Sequence, residues 1–234
     1  MSPTILFDFD GTLALGDGPI RAFAREIATR VQDGDFIDRA DAALTAFESG
    51  ERNYRDGYDA VTSVAVADGV ERDVIGASYD ASRAILGSAG AAVTPPAGLA
   101  EFLARVGADS RLELATNAPG SGVRAVLESW GVAEAFDAMH FSVGKPDGLL
   151  PVLTAALDRG PVLSIGDIFE FDLAPAASLG ADTALVGATA SRSTVATTMR
   201  GASLADLYDE IVDWVAASST SSVSPNTTSP ERSN

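Results

Sequence analysis

Ile5-Leu6-Phe7-Asp8-Phe9-Asp10-Gly11-Thr12-Leu13 decides how the rest of the chain is read. An apolar run enters two aspartates and stops at a glycine. A short apolar run bounded by a turn signal predicts a buried strand of a parallel sheet. The aspartates then fall at the strand's carboxyl end, where open α/β sheets bind their ligands. Asp8 and Asp10, two residues apart, start on one face of the strand until the turn at Gly11 re-aims the second. Two carboxylates this close repel and raise each other's pKa. The pair therefore calls for a cation between them or a shared proton. A plain strand followed by an Asp-Gly turn is the alternative at this point.

Working outward, Leu15-Gly16-Asp17-Gly18-Pro19 reads as a linker, and four helical patterns follow without a strand. They span residues 19–31, 35–47, 54–66 and 70–86, the first opening on a proline at a favoured position. A parallel crossover needs only about a dozen residues, so this block reads as an inserted helical cap. From Pro95 the pattern alternates. Helices are predicted over 99–106, 121–130, 149–157 and 204–215, and strands over 111–115, 138–143, 162–165 and 183–186. That alternation predicts an α/β fold: a doubly wound, Rossmann-like parallel sheet core carrying an all-helical cap domain. The core is expected over residues 1–15 and 95–217 and the cap over 16–94. Residues 218–234, mostly Ser, Thr, Pro and Asn, are expected to be a disordered tail.

Composition removes whole classes of function. The 234-residue chain has no cysteine, which excludes disulfides, thiolate metal sites and cysteine nucleophiles. Its single histidine, His140, leaves no basis for a histidine-rich metal site, and no G-x-S-x-G elbow is present. The formal net charge of -17 disfavours nucleic acid and anionic membranes as partners. It fits a salt-adapted cytoplasm, and the scarcity of lysine fits a GC-rich genome. The opening residues lack a basic region, and Asp8 interrupts the first apolar run. No signal peptide or membrane span is expected, and the location is read as cytoplasmic.

The polar residues at predicted strand ends form one set: Asp8 and Asp10, Thr116 and Asn117, Lys145, and Asp167. In a parallel sheet these share one edge and can converge in a single crevice. The combination suits phosphoryl transfer. A carboxylate can attack phosphorus, and a second can protonate the leaving oxygen and later activate water. A hydroxyl and an ammonium can hold the remaining oxygens as charge builds. Three carboxylates around a phosphate need a hard cation, and Mg2+ is the usual one. Lys145 is the only lysine beside fifteen arginines, and it falls between Gly144 and Pro146. A compact ammonium suits a tight phosphate site where a guanidinium fork does not.

Asp8 to Leu13 (D-F-D-G-T-L), the strand ending in Thr116-Asn117, Gly144-Lys145-Pro146, and Gly166-Asp167 with Asp172 together resemble the four motifs of the haloacid dehalogenase superfamily, in that family's order and spacing. The resemblance covers the chain apart from the tail, and within the family it lies with phosphoglycolate phosphatase-like enzymes carrying a helical cap. It implies Asp8 as nucleophile and Asp10 as general acid/base. It implies Gly11, Thr116, Asn117 and Lys145 around the phosphate. It further implies Mg2+ held by Asp8, the Asp10 backbone carbonyl and Asp167, with Asp172 as a ligand or a supporting group. Ile168 stands where the family often has a small polar residue, which removes a hydroxyl contact there. The dehalogenases generally lack the second aspartate, so Asp10 favours phosphate chemistry, and the lysine-free cap excludes a Schiff-base hydrolase. The expected activity is a phosphatase acting on a small phosphorylated metabolite. A sugar-phosphate mutase, a 2-haloacid dehalogenase and a non-catalytic binding protein are the alternatives. Arg21, Arg25, Arg52, Tyr54 and Tyr58 are the candidate substrate contacts in the cap.

Overall fold

The computed structural model describes residues 2–51, 54–187 and 190–220. Strand β1 (Thr4–Phe7) is followed by helices α1 (Gly18–Val31), α2 (Phe36–Glu48), α3 (Gly57–Ala67) and α4 (Arg72–Ala84). Then come α5 (Leu99–Gly107), β2 (Arg111–Ala115), α6 (Gly120–Ser129), β3 (Ala138–His140), α7 (Leu149–Leu157) and β4 (Val162–Gly166). The chain continues through α8 (Ala174–Ser178), β5 (Asp182–Leu185), β6 (Met199–Arg200) and α9 (Tyr208–Thr220). Among the described residues the strands form one sheet in the order β3-β2-β1-β4-β5-β6, and every pairing is parallel. The fold is thus the expected α/β parallel sheet.

The register explains why β1 is wholly buried. Phe7 lies opposite Leu114 on one side and Ile165 on the other, so the strand is covered by neighbours as well as by helices. Ile5 and Phe7 face a layer containing Leu103, Phe102 and Leu127, whereas Leu6 faces Leu149, Leu153 and Ala176. Burying each of the Ile, Leu and Phe side chains among these contributes about 1.5–3 kcal/mol. The chain begins in the middle of the sheet, builds outward to β3, and returns to lay β4 against the other side of β1. The strand order therefore reverses between β1 and β4, which is where doubly wound sheets open a crevice.

Helices α1 to α4 enclose a second apolar cluster centred on Phe23, Ile27, Phe36, Leu44 and Val61. Leu15 and Thr94 exchange both backbone hydrogen bonds, at 2.9 and 3.0 Å, and so join the two ends of this helical block.

Several element ends differ from the sequence reading. The strand expected over 138–143 stops at His140, because Ser142 takes a left-handed φ of 48° and the chain turns over the end of β2. There the Ser142 amide donates to the Ala118 carbonyl and the Val143 amide to Thr116. The two-residue β6 is too short to show any periodicity. The last helix runs through Thr220, so Ser218 to Thr220 are helical and not part of a disordered tail. The remainder of that tail, residues 221–234, lies outside the described residues.

Candidate active site

Four strand ends deliver the expected residues to one crevice. Asp8 directly follows β1, and its amide donates to Ile165 of β4 at 2.9 Å, which fixes the backbone beside the sheet. The next turn is tight: the Leu13 and Ala14 amides both donate to the Phe9 carbonyl, and the Gly11 amide donates to Ala14. Gly11 has a φ of 77°, and a Cβ there would stand 2.3 Å from Asp167 Oδ2. Only glycine combines that conformation with that approach. The turn can thus lie directly against the carboxylate that follows β4.

Lys145 is the centre of the site's charge balance. Its side chain is 3% exposed, and Nζ donates to Asp8 Oδ1 at 2.6 Å and to Asp172 Oδ1 at 2.7 Å. Burial opposes the lysine charge, but Asp8 and Asp172 outweigh it and hold its pKa above the ordinary value. Asp172 uses its other oxygen to accept from the Ile168 amide at 3.0 Å. It sits in a π-helical turn, Phe169–Leu173. Its backbone carbonyl also accepts from the Ser164 hydroxyl. Gly166 makes room for it, since a Cβ there would lie 2.3 Å from the Asp172 Cβ.

Asp8, Asp167 and Asp172 each offer an oxygen, and these oxygens all lie within 4.8 Å of one another. Burial lifts the Asp8 carboxyl to about 7, with Lys145 opposing and Asp172 adding to the rise. Asp167 is also pushed well above the usual carboxylate range, by burial first and by Asp8 and Asp172 next. One ammonium does not neutralise three carboxylates. An all-oxygen donor set with surplus negative charge fits a hard divalent cation such as Mg2+. Asp172 is already engaged through both oxygens, which leaves Asp8 and Asp167 as the residues best able to hold it.

Thr116 directly follows β2, is buried, and its hydroxyl accepts from the Ala118 amide at 3.0 Å. Asn117 turns its side-chain carbonyl to the Lys145 amide at 2.7 Å, so its side chain positions the lysine loop. Asp8, Asp10, Gly11, Thr116, Asn117, Lys145, Asp167 and Asp172 all line one cavity of about 310 Å³. Its opposite wall comes from the helical block and includes Ile20, Arg55, Tyr58 and Tyr79. A wider recess of about 670 Å³ shares Phe47, Arg55, Asp167 and Ile168 with it.

Of the five residues expected to meet substrate from the helical block, Tyr58 lines the cavity and Tyr54 the wider recess. Arg21 instead pairs with Asp17 and Asp41, both at 2.5 Å, on an exposed surface. Arg25 donates to the Gly90 carbonyl. Neither arginine lines the cavity, because the helix face that carries them turns outward from it. Arg52 lies outside the described residues. Sequence reading missed Arg55, whose guanidinium stacks 4.7 Å from the Phe171 ring, and Arg83, whose Nη1 donates to Asp10 Oδ1 at 2.8 Å. Nothing in the local sequence separates these two from the other arginines. His140 Nε2 lies 3.0 Å from Glu113 Oε2, and His140 does not line the cavity.

No protein-family model matches the sequence, and no curated protein does. Solved structures do match. A haloacid dehalogenase-like family hydrolase from Streptococcus pneumoniae shares 15% identity over 90% of this chain and 97% of its own, with a TM-score of 0.59. YfnB from Bacillus subtilis, solved bound to magnesium, shares 18% over 91% and 99%, also at 0.59. A phosphatase of the same superfamily from Thermococcus onnurineus shares 16% over 89% and 97%, at 0.56. The chain has the haloacid dehalogenase-like fold. Along the chain, the four helices α1 to α4 are inserted between β1 and the remaining strands. Among the described residues no helix is long and apolar enough to cross a membrane.

Proposed function

We propose that the chain is a magnesium-dependent phosphatase that hydrolyses a small organic phosphomonoester through an aspartyl-phosphate on Asp8. One observation carries this reading: a buried ammonium, Lys145, bridges Asp8 and Asp172 beside a third carboxylate, in a cavity sized for a small molecule. Lys145 holds Oδ1 of Asp8, so Oδ2 is the attacking oxygen. As its bond to phosphorus forms, the bond to the leaving oxygen breaks. Asp10 supplies the proton that the leaving oxygen takes up. Asp10 then accepts a proton from the water that attacks the aspartyl-phosphate, releasing phosphate and regenerating Asp8. The Thr116 hydroxyl and the Lys145 ammonium hold the non-bridging oxygens. A magnesium ion held by Asp8 and Asp167, with the Asp10 backbone carbonyl, would neutralise the phosphate and orient phosphorus toward Asp8.

The helical block, residues 16–94, serves as the cap that covers the phosphate from bulk water. Arg55, Tyr58 and Tyr79 on its wall then meet the organic part of the substrate. With this charge and site the protein acts in the cytoplasm on small phosphorylated metabolites.

Asp8→Asn keeps the shape of the site and removes the nucleophile. It should abolish magnesium-dependent release of phosphate from p-nitrophenyl phosphate while the circular dichroism spectrum stays unchanged. Residual turnover above a few per cent of the parent would refute the mechanism. Halide release from 2-chloropropionate, with no phosphatase activity, would place the chain among the dehalogenases instead.

A further inference from the structure

Arg83 is the most buried arginine facing the site, with a side chain 3% exposed. Its Nη1 donates to Asp10 Oδ1 at 2.8 Å and to the Tyr58 hydroxyl at 3.0 Å. Its Nε and Nη2 are buried and have no partner among the described residues. Leaving such donors unpaired destabilises a fold, so the residue's place is not explained by stability. The pair it makes with Asp10 offers another explanation.

Asp10 sits in the turn after β1, and its side chain is 33% exposed. Among the described residues the hydrogen bond to its carboxylate comes from Arg83, which lies 73 positions along the chain. The sheet core thus supplies Asp10 but not its orientation. A guanidinium is all donor and does not release its proton. It can hold Oδ1 in place while taking no part in proton transfer, which leaves Oδ2 to carry the transferred proton.

How Arg83 reaches Asp10 is also visible. It lies in the last turn of α4, which seats against α6 of the sheet core at Gly122. A Cβ at Gly122 would stand 2.8 Å from the Arg83 carbonyl and 3.2 Å from the Leu86 Cβ. The bare backbone at Gly122 is what lets α4 come close enough for the guanidinium to reach across.

Building on the proposed phosphatase reading, we infer that Arg83 is a positioning residue, carried by the helical block, that orients Asp10 for proton transfer to the leaving group. Proton transfer at Asp10 therefore depends on the seating of α4 against the core. The consequence is specific. A substrate with a good leaving group departs without a proton, whereas one with a poor leaving group needs Asp10 correctly held.

The test compares kcat/KM for p-nitrophenyl phosphate and phenyl phosphate, because this parameter reports the steps through transfer to Asp8. Arg83→Met should lower the ratio of phenyl to p-nitrophenyl activity by about tenfold or more, since a placed general acid contributes about 10²–10⁴-fold. Gly122→Ala leaves the Asp10–Arg83 pair chemically intact but lifts α4, so it should move the ratio in the same direction by a smaller factor. Melting curves on both variants establish that they are folded. If Arg83→Met does not fold, the Gly122→Ala ratio decides. Equal losses on both substrates, or an unchanged ratio, would overturn the role of Arg83 while leaving the phosphatase reading intact. A parent protein inactive on both substrates would overturn that reading itself, and this inference with it.

Discussion

Magnesium should stabilise this protein in proportion to how completely Asp8 is ionised. In the metal-free protein burial lifts the Asp8 carboxyl from 3.8 to about 7, against the pull of Lys145 and with the help of Asp172. The folded protein therefore holds this proton more tightly than the unfolded chain. Its contribution to stability is whole below about pH 4 and is lost as the pH rises through about 7, so the metal-free protein should weaken across that window. A cation binds the ionised carboxylates and must displace the proton. With a carboxyl near 7, one proton hardly competes near pH 8 but weakens binding about a hundredfold near pH 5. Magnesium at about one hundred times its pH 8 Kd then stabilises by about 2.7 kcal/mol near pH 8 and by about 0.4 kcal/mol near pH 5. For a chain of this length the first figure raises the melting temperature by about 5–11 °C and the second by about 1 °C. Asp167, also raised by burial, should steepen the contrast. Thermal unfolding followed by circular dichroism, with magnesium or EDTA at the two pH values, reads this directly. A magnesium shift of equal size at both, or a larger one near pH 5, would refute a cation site built on Asp8.

Two further substitutions separate the site from its scaffold. Gly11→Ala combines a left-handed backbone, costing about 1–2 kcal/mol, with a Cβ 2.3 Å from Asp167 Oδ2. It should lower the melting temperature and weaken the magnesium shift, and a variant with the parent's magnesium response would count against Asp167 as a ligand. Glu113 lies on the core side, 4% exposed, with Arg111 at 2.8 Å, Arg159 at 2.5 Å and His140 at 3.0 Å. Burial pushes its carboxyl up, but hydrogen bonds from His140 and Arg111 and the Arg159 charge outweigh burial and hold it below 4.5. Glu113→Gln should cost about 1–3 kcal/mol of stability near neutral pH, reduced because its partners are partly exposed, and leave phosphatase activity in place. Its partnered charge stabilises above about pH 4.5 and the benefit is lost as the pH falls through the lower folded value. The gap between parent and variant should therefore close in acid, and a gap independent of pH would contradict the assignment.

Much of the site was legible because its residues sit where backbone pattern alone puts them. Asp8, Thr116, Lys145 and Asp167 follow strands whose apolar runs are plain, and parallel pairing then aligns the strand ends. Lys145 stands out because arginine is used everywhere else. The helical block was legible as helices, since Phe23, Ile27, Phe36 and Leu44 recur at helical spacing. Which polar residues of that block face the crevice was not legible. Arg21 and Arg83 both lie on amphipathic helices, and only the packing of α4 against α6 separates an exposed ion pair from a buried guanidinium on Asp10. Asp172 was ambiguous for a different reason. A π-helical turn shifts the side-chain phase within five residues, and no periodic pattern reports it. The two-residue β6 escaped notice because its position comes from pairing with β5 and not from its own sequence.

The proposed aspartyl-phosphate on Asp8 is tested most directly in the Asp10→Asn variant with p-nitrophenyl phosphate. Nitrophenolate departs without a proton, so the aspartyl-phosphate should form. Without Asp10 to activate water it should then accumulate. Rapid mixing should show a burst of nitrophenolate equal to the protein present, and acid-quenched digests should carry one base-labile phosphoryl group on the peptide containing Asp8. A burst with the label on another residue, or steady turnover with no burst and no label, would contradict an Asp8 nucleophile.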